Sequence, residues 1–171
     1  MTCMAYVWNV HRLCIGCGRR NVAVKWIDIP PVWVVVFLAL AWLQVTHLPV
    51  LPFRFPVLSL ICGLLVGGGV LLMALALIEF QKHKTTPIPH QQASALITAG
   101  IFSRTRNPIY LGDAMVLTGL TLYWGAWLSL ILVPLFVMII TRRFILPEEA
   151  RLRRAFGPSF AIWAEKTPRW L

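Results

Sequence analysis

Along most of this chain the apolar residues neither alternate nor recur on a narrow helical stripe; they come in unbroken runs separated by short polar stretches. A run that is apolar on every side leaves no face for water, and at about 20 residues it reads as a bilayer-crossing helix. Val32 to Leu48 is the first, set between Pro30-Pro31 and Pro49, and near the short limit for a crossing. Pro56 to Phe80 is the second; Gly63, Gly67, Gly68 and Gly69 lie along it and would let another helix approach closely. Ile109 to Ile140 is too long for one crossing, and Tyr123-Trp124-Gly125 interrupts it near its middle. The pattern predicts a tight helical hairpin with arms Ile109 to Leu122 and Ala126 to about Leu146. The first arm is too short to cross unless its Asn107-Pro108 end is sunk in protein, and that shortness hints at a site. The expected fold is all-α: an integral membrane protein with about four transmembrane helices, the last two a tight helical hairpin, plus amphipathic C-terminal helices.

The positions of Lys and Arg orient these helices. Arg12, Arg19, Arg20 and Lys25 precede the first run, Lys82, Lys84, Arg104 and Arg106 lie between the second and third, and Arg142 to Arg169 follow the fourth. Arg54 alone falls on the other side. By the positive-inside rule, four crossings place both termini and the middle loop in the cytoplasm.

Composition narrows the class further. Of the 171 residues 58% are hydrophobic and 13% charged, against roughly 25% charged in an average globular domain, which excludes disorder and most water-soluble folds. Sixteen Lys plus Arg against six Asp plus Glu give a net charge of +10. Such a charge can mark a nucleic-acid binder, but here the basic residues lie between membrane runs, so no nucleic-acid partner is expected. The length suggests one membrane domain over residues 31–171, preceded by a loosely ordered extension at 1–30. A cleavable signal peptide is disfavoured, because the first apolar run begins far from the N-terminus and no small-residue cleavage site follows Leu48. Cys14-x-x-Cys17 has zinc-knuckle spacing but no second pair, so no metal site is expected.

Two polar stretches share the expected cytoplasmic face, and any reaction belongs between them. In the first, Thr98 to Gly112, Gly100 permits a left-handed turn and Pro108 can open a helix, so backbone donors and Arg106 collect at a helix N-terminus. Arg104 and Arg106 would otherwise touch lipid headgroups. In the second, Pro147 to Trp170, Leu152, Phe156, Phe160 and Trp163 follow helical spacing while Arg151, Arg153 and Arg154 point elsewhere, and Gly157-Pro158 marks a break. Glu148 and Glu149 can complement the dipole of the helix they begin, but carboxylates at this depth usually have a partner. A cationic ligand rich in donors would suit Glu148 or Glu149, and Arg106 would suit a carboxylate; one small molecule carrying both groups is an amino-acid-like cofactor.

The residues Arg106-Asn107-Pro108-Ile109-Tyr110-Leu111-Gly112, followed by Glu148-Glu149-x-x-Leu152-x-x-x-Phe156-Gly157 and then Pro168-Arg169, resemble in order and spacing the isoprenylcysteine carboxyl methyltransferase family and its phospholipid methyltransferase relatives. The resemblance covers roughly residues 56 to 171. It implies an integral membrane methyltransferase that uses S-adenosylmethionine, enclosed by the hairpin end and the C-terminal helices. By the same resemblance Gly100, Ile101 and Phe102 would line the cofactor, Arg106, Asn107, Pro108 and Tyr110 would shape its polar end, and Glu148 or Glu149 would hold its amino or ribose groups. Family members often have His where Asn107 stands, and often Tyr at the places of Phe160 and Trp163. Asn107 cannot act as a base, so its role would be to orient by hydrogen bonds.

Methyl transfer from a sulfonium is an in-line displacement that needs alignment and exclusion of water. Arg106 or Arg169 could position a carboxylate or thiolate acceptor, and with Asn107 they form the expected catalytic set. The expected function is S-adenosylmethionine-dependent methyl transfer to a small lipophilic acceptor, carboxylate or thiol favoured, with membrane lipid as its surroundings and the oligomeric state open. The alternatives are a phospholipid or amine N-methyltransferase and a catalytically silent membrane interaction protein of the same fold.

Three smaller expectations complete the reading. Glu79 should pair with Lys82. Asp113, an intramembrane acid, is a functional suspect of unassigned role, with Arg106 and Arg142 as its candidate partners. Gly63 and Gly67 to Gly69 either line a lateral entry for substrate or serve ordinary helix packing.

Overall fold

Proline fixes where the first three long helices begin. The computed structural model describes residues 29–48, 55–83 and 96–171, and in it α1 (Pro30–His47), α2 (Pro56–Lys82) and α3 (Pro108–Tyr123) each carry Pro in the first turn. There the missing N–H removes no helical hydrogen bond, because the first N–H groups of a helix have no intrahelical acceptor. Beyond the hairpin a 3-10 turn, Trp127–Ile131, leads into α4 (Leu132–Ile140), a π turn at Thr141–Ile145 and α5 (Leu146–Lys166). No strand occurs among the described residues. The expectations for the extension at 1–30, its Cys14 and Cys17, and Arg54 lie outside the described residues.

Three stretches are long and apolar enough to cross a membrane: Pro30–His47, Pro56–Lys82 and Trp127–Lys166. They correspond to the expected first, second and fourth crossings. The expected third, α3, has 16 residues, and at 1.5 Å per residue it reaches about 24 Å, short of the roughly 30 Å hydrocarbon core. Nine of those residues are buried, Pro108 among them, so its N-terminal end is sunk in protein as its length requires.

The hairpin tip follows from one glycine. Gly125 takes φ 73, its N–H bonds the Leu122 carbonyl at 3.0 Å and the Ala126 N–H bonds the Thr121 carbonyl at 3.0 Å. This is the paired-bond ending that turns a chain out of a helix through a left-handed residue. The tip is tied to the end of α1, where Trp42 meets Trp124 edge to face at 5.3 Å and Ser129 Oγ donates to Gln44 Oε1 at 3.1 Å. Thus the C-terminus of α1 and the hairpin tip share one end of the bundle, and the N-terminus of α3 and the whole of α5 belong to the other.

Between α2 and α3 the backbones themselves touch. A Cβ on Gly69 would stand 2.6 Å from the Gly112 carbonyl oxygen, and one on Gly112 would stand 2.6 Å from that of Gly69. Gly119 fits against Val66 and the Cys62 carbonyl in the same way. Gly63 and Gly67 meet nothing within 4 Å. Gly69, with Gly68 beside Met115, therefore serves packing of α2 on α3, and Gly63 and Gly67 do not.

The last helix does not end at Leu146, where the second hairpin arm was expected to stop; it runs on through the π turn. Pro147 has no N–H for the Arg143 carbonyl and its ring would crowd an ordinary turn, and the wider π turn just before it relieves that conflict. One extra residue in the turn also rotates α5, which aims Glu148 and Glu149 inward. The expected break at Gly157-Pro158 is present as a kink, with Gly157 at φ 49 and ψ −121.

Candidate functional site

Two stretches some sixty residues apart meet at the α5 end of the bundle. The Arg106 N–H donates to the Pro168 carbonyl at 3.0 Å, and Asn107 Nδ2 donates to the Arg169 carbonyl at 2.9 Å. Thr105 holds this junction from inside. Its hydroxyl accepts from the Asn107 N–H at 3.3 Å and donates to the Arg169 carbonyl at 3.4 Å, and its side chain is fully buried. Chain-end carbonyls, which would otherwise stay in water, are thereby recruited as a strap across the start of α3.

Glu149 is the electrostatic centre. Its carboxylate takes both Arg169 Nε (3.0 Å) and Nη2 (2.7 Å), a two-pronged fit that suits a planar guanidinium. Arg106 Nη1 reaches the same carboxylate at 3.0 Å. Side chains of Arg106 and Glu149 are 14% and 13% exposed, while that of Arg169 is 37% exposed, so water screens the outer pair more than the inner one. The Glu149 carboxylate raises the Arg169 pKa above its ordinary value, which keeps the guanidinium charged at any physiological pH.

Glu148 is placed differently. The Tyr110 hydroxyl donates to its carboxylate at 3.4 Å, and the Arg151 guanidinium acts on it electrostatically. Arg106 Nε is buried without a hydrogen-bond partner. Both residues line a small cavity with Asn107, Glu149, Phe160 and Trp163. Its volume is about 20 Å³, room for about one water molecule.

Apolar packing seals the inner wall. Phe102, Phe160, Trp163, Ala76 and Ile97 form one buried cluster, in which Phe160 and Trp163 meet edge to face at 5.8 Å and the Trp163 indole N–H donates to the Phe102 carbonyl at 3.1 Å. Leu152 and Phe156 pack on the same cluster, so the predicted apolar face of the C-terminal helix is the one turned inward.

Of the expected site residues, the structure gathers Arg106, Asn107, Glu148, Glu149 and Arg169 around one point. Tyr110 touches that group through Glu148, and Pro108 is fully buried beneath it. Gly100, Ile101 and Phe102 do not line the cavity. Gly100 has the expected left-handed backbone at φ 61, and a Cβ there would lie 2.6 Å from Glu79 Oε1. Glu79 also accepts from Lys82 Nζ at 2.9 Å, the pairing read from their spacing. Asp113 is buried, with Oδ2 lacking a hydrogen bond, and its candidate ion pair with Arg106 is not made: Arg106 is committed to Glu149. Thr105 was not expected at all; a lone Thr between two arginines in a polar stretch carries no periodic signal.

A sequence model of the phospholipid methyltransferase family matches residues 58–159, more than half of the chain. No curated protein matches the chain, and no solved structure does. The matched span takes in the glycine seam, the start of α3, and Glu148 and Glu149, and stops short of Trp163 and Arg169.

Proposed function

The chain belongs to the phospholipid methyltransferase family and is a membrane methyltransferase; from that premise we propose that it transfers a methyl group from S-adenosylmethionine to a small lipophilic acceptor at the cytoplasmic membrane face. One observation carries this reading: Arg106, Glu148 and Glu149, from distant stretches, line one cavity at one end of the helices, and Arg169 pairs with Glu149 at its edge. S-adenosylmethionine, when bound, supplies the electrophilic methyl group on a sulfonium.

The donor set fits such a group. Glu148, a carboxylate on the cavity wall, suits an ammonium or ribose hydroxyls, and the unsatisfied Arg106 Nε suits a carboxylate. Phe160 and Trp163 offer aromatic faces that tolerate a cation without neutralising it. The volume of about 20 Å³ falls far below the roughly 300 Å³ of a small-molecule site. Entry therefore requires Arg169 and the strap at 167–170 to swing away from Glu149. On reclosure the strap excludes water from the reacting atoms.

Asn107 spends its amide N–H on the Arg169 carbonyl and has no ionisable group, so it positions the strap and takes no proton. An acceptor that needs no base suits this site, and a carboxylate or thiolate positioned by Arg106 or Arg169 is such an acceptor. The family match favours a second reading, N-methylation of a phospholipid amine, in which the acceptor must first lose a proton.

Calorimetry or equilibrium dialysis with S-adenosylmethionine and its demethylated product, on detergent-purified protein, tests the proposal. We expect Glu148→Ala combined with Glu149→Ala to abolish binding and Arg106→Ala to weaken it about tenfold, the order of one charge-assisted hydrogen bond. Unchanged affinity in both variants removes the site assignment. A wild-type protein that binds neither ligand leaves the silent interaction protein as the reading.

A further inference from the structure

α5 carries its charges in two unlike ways. Glu148 and Glu149 turn inward to Tyr110, Arg106 and Arg169. Arg151, Arg153 and Arg154 remain exposed, away from the face of Leu152, Phe156, Phe160 and Trp163 that packs on the core. Arg142 and Arg143 are exposed about two to three turns closer to the last membrane span. The acid left exposed on α5 is Glu165, near its far end beside Lys166. With both inner carboxylates withdrawn, the outer face next to the span is cationic.

We infer that this outer face, Arg153 and Arg154 together with Arg142, binds anionic phospholipid headgroups of the membrane that the helices cross. α5 continues directly from a bilayer-crossing helix, so its first turns lie within about one Debye length, roughly 8 to 10 Å, of the headgroup plane. An anionic leaflet attracts each arginine near the surface by about fivefold in binding, and a zwitterionic leaflet offers no such net attraction. Arg153 stays exposed while its guanidinium lies 5.8 Å from the Phe160 ring centre, a contact that restrains it at the edge of the helix's inner face. Leu146 and Ile162 are exposed on the same helix, and cationic residues interleaved with apolar ones mark a helix that lies in the interface. The same headgroups would hold α5 down over the cavity wall formed by Phe160 and Trp163.

Lipid retention by the detergent-purified full chain tests this, and it does not depend on methyl transfer. The protein is offered an equal mixture of phosphatidylglycerol and phosphatidylcholine with matched acyl chains, and bound lipid is counted by native mass spectrometry. Wild type should retain the anionic lipid about tenfold or more over the zwitterionic one, with the preference fading as salt is raised to about 0.5 M. The triple variant R142Q/R153Q/R154Q should bring the preference to within about twofold, and R142K/R153K/R154K should keep it. Equal retention of both lipids by wild type overturns the inference. So does a salt-independent preference, or one that survives in the glutamine variant. Should the glutamine variant fail to fold, the wild-type lipid ratio and its salt dependence decide alone.

Discussion

The two seams of this molecule are built from opposite materials. Between α2 and α3 no functional group takes part: Gly69 and Gly112 bring backbone onto backbone. Between the start of α3 and residues 168–169 the ties are hydrogen bonds and ion pairs: Arg106 N–H to the Pro168 carbonyl, Asn107 to the Arg169 carbonyl, and two guanidiniums on Glu149. In lipid there is no hydrophobic drive between helices, so close packing of small residues is what holds the first seam. At the water boundary, charges and donors can exchange partners, and the second seam is made of those. A rigid scaffold beside an exchangeable lid is the arrangement a cofactor-admitting site requires.

The sharpest way to break that contrast is to fill the glycine seam. A side chain at Gly69 has a carbonyl oxygen 2.6 Å away, and backbone cannot rotate aside as a side-chain tip can. Gly69→Val should cost about 3 kcal/mol, the upper part of the range for overpacking, read as a fall in the thermal midpoint of the detergent-solubilised protein. Gly67→Val, two residues earlier with nothing within 4 Å, should stay within about 0.5 kcal/mol of wild type. Equal losses at both positions would show that helix propensity, not the backbone approach, governs the seam.

In the polar seam the adjacent carboxylates should separate in the same manner. Glu149→Gln leaves Arg106 and Arg169 facing each other without a counter-charge. Breaking a buried pair costs about 3 to 5 kcal/mol, but Arg169 is 37% exposed, and screening brings the expected loss to about 1 to 2 kcal/mol. Hydrogen exchange at the Arg106 amide, which reports the strap through its bond to Pro168, should accelerate. Glu148→Gln, which keeps an acceptor for the 3.4 Å Tyr110 hydrogen bond and loses a charge that faces the exposed Arg151, should change stability by less than about 1 kcal/mol while weakening cofactor affinity. A Glu148 variant that loosens the strap as much as the Glu149 variant does would merge the two roles.

These differences trace to what a linear sequence can carry. Unbroken apolar runs, prolines at helix starts and Gly125 at the tip are local signals, and they set α1, α2 and the hairpin. The residues of the site were legible as types, since Arg106, Glu148 and Glu149 are rare charges at the edge of apolar runs. Their pairing was not. Whether Arg106 meets Asp113 or Glu149 depends on the rotation of α5, set by a π turn that Pro147 induces across a helix boundary. Nor did the glycine pattern tell which glycines face a neighbour: Gly63 and Gly67 share one face of α2 and Gly69 lies on the other, and the contact with α3 falls on the side of Gly69. The carbonyls of Pro168 and Arg169 act through backbone geometry, to which side-chain identity gives no clue, and Thr105 acts through a hydroxyl that only their position makes useful.

The smallest expected effect probes how the strap divides its load. Asn107→Ala deletes the 2.9 Å hydrogen bond to the Arg169 carbonyl, while the Arg106 N–H bond to Pro168 and the Glu149 pairs remain in place. One neutral hydrogen bond contributes about 1 kcal/mol net, and the freed carbonyl belongs to a residue that water can reach, so the loss should lie at or below that value. Exchange at the Arg106 amide should rise only a few-fold, less than in Glu149→Gln, because the Thr105 hydroxyl still reaches the Arg169 carbonyl at 3.4 Å. A loss as large as that of Glu149→Gln would place the closure of the lid in the amide rather than in the ion pairs, and the carboxylate would then be free to serve the ligand alone.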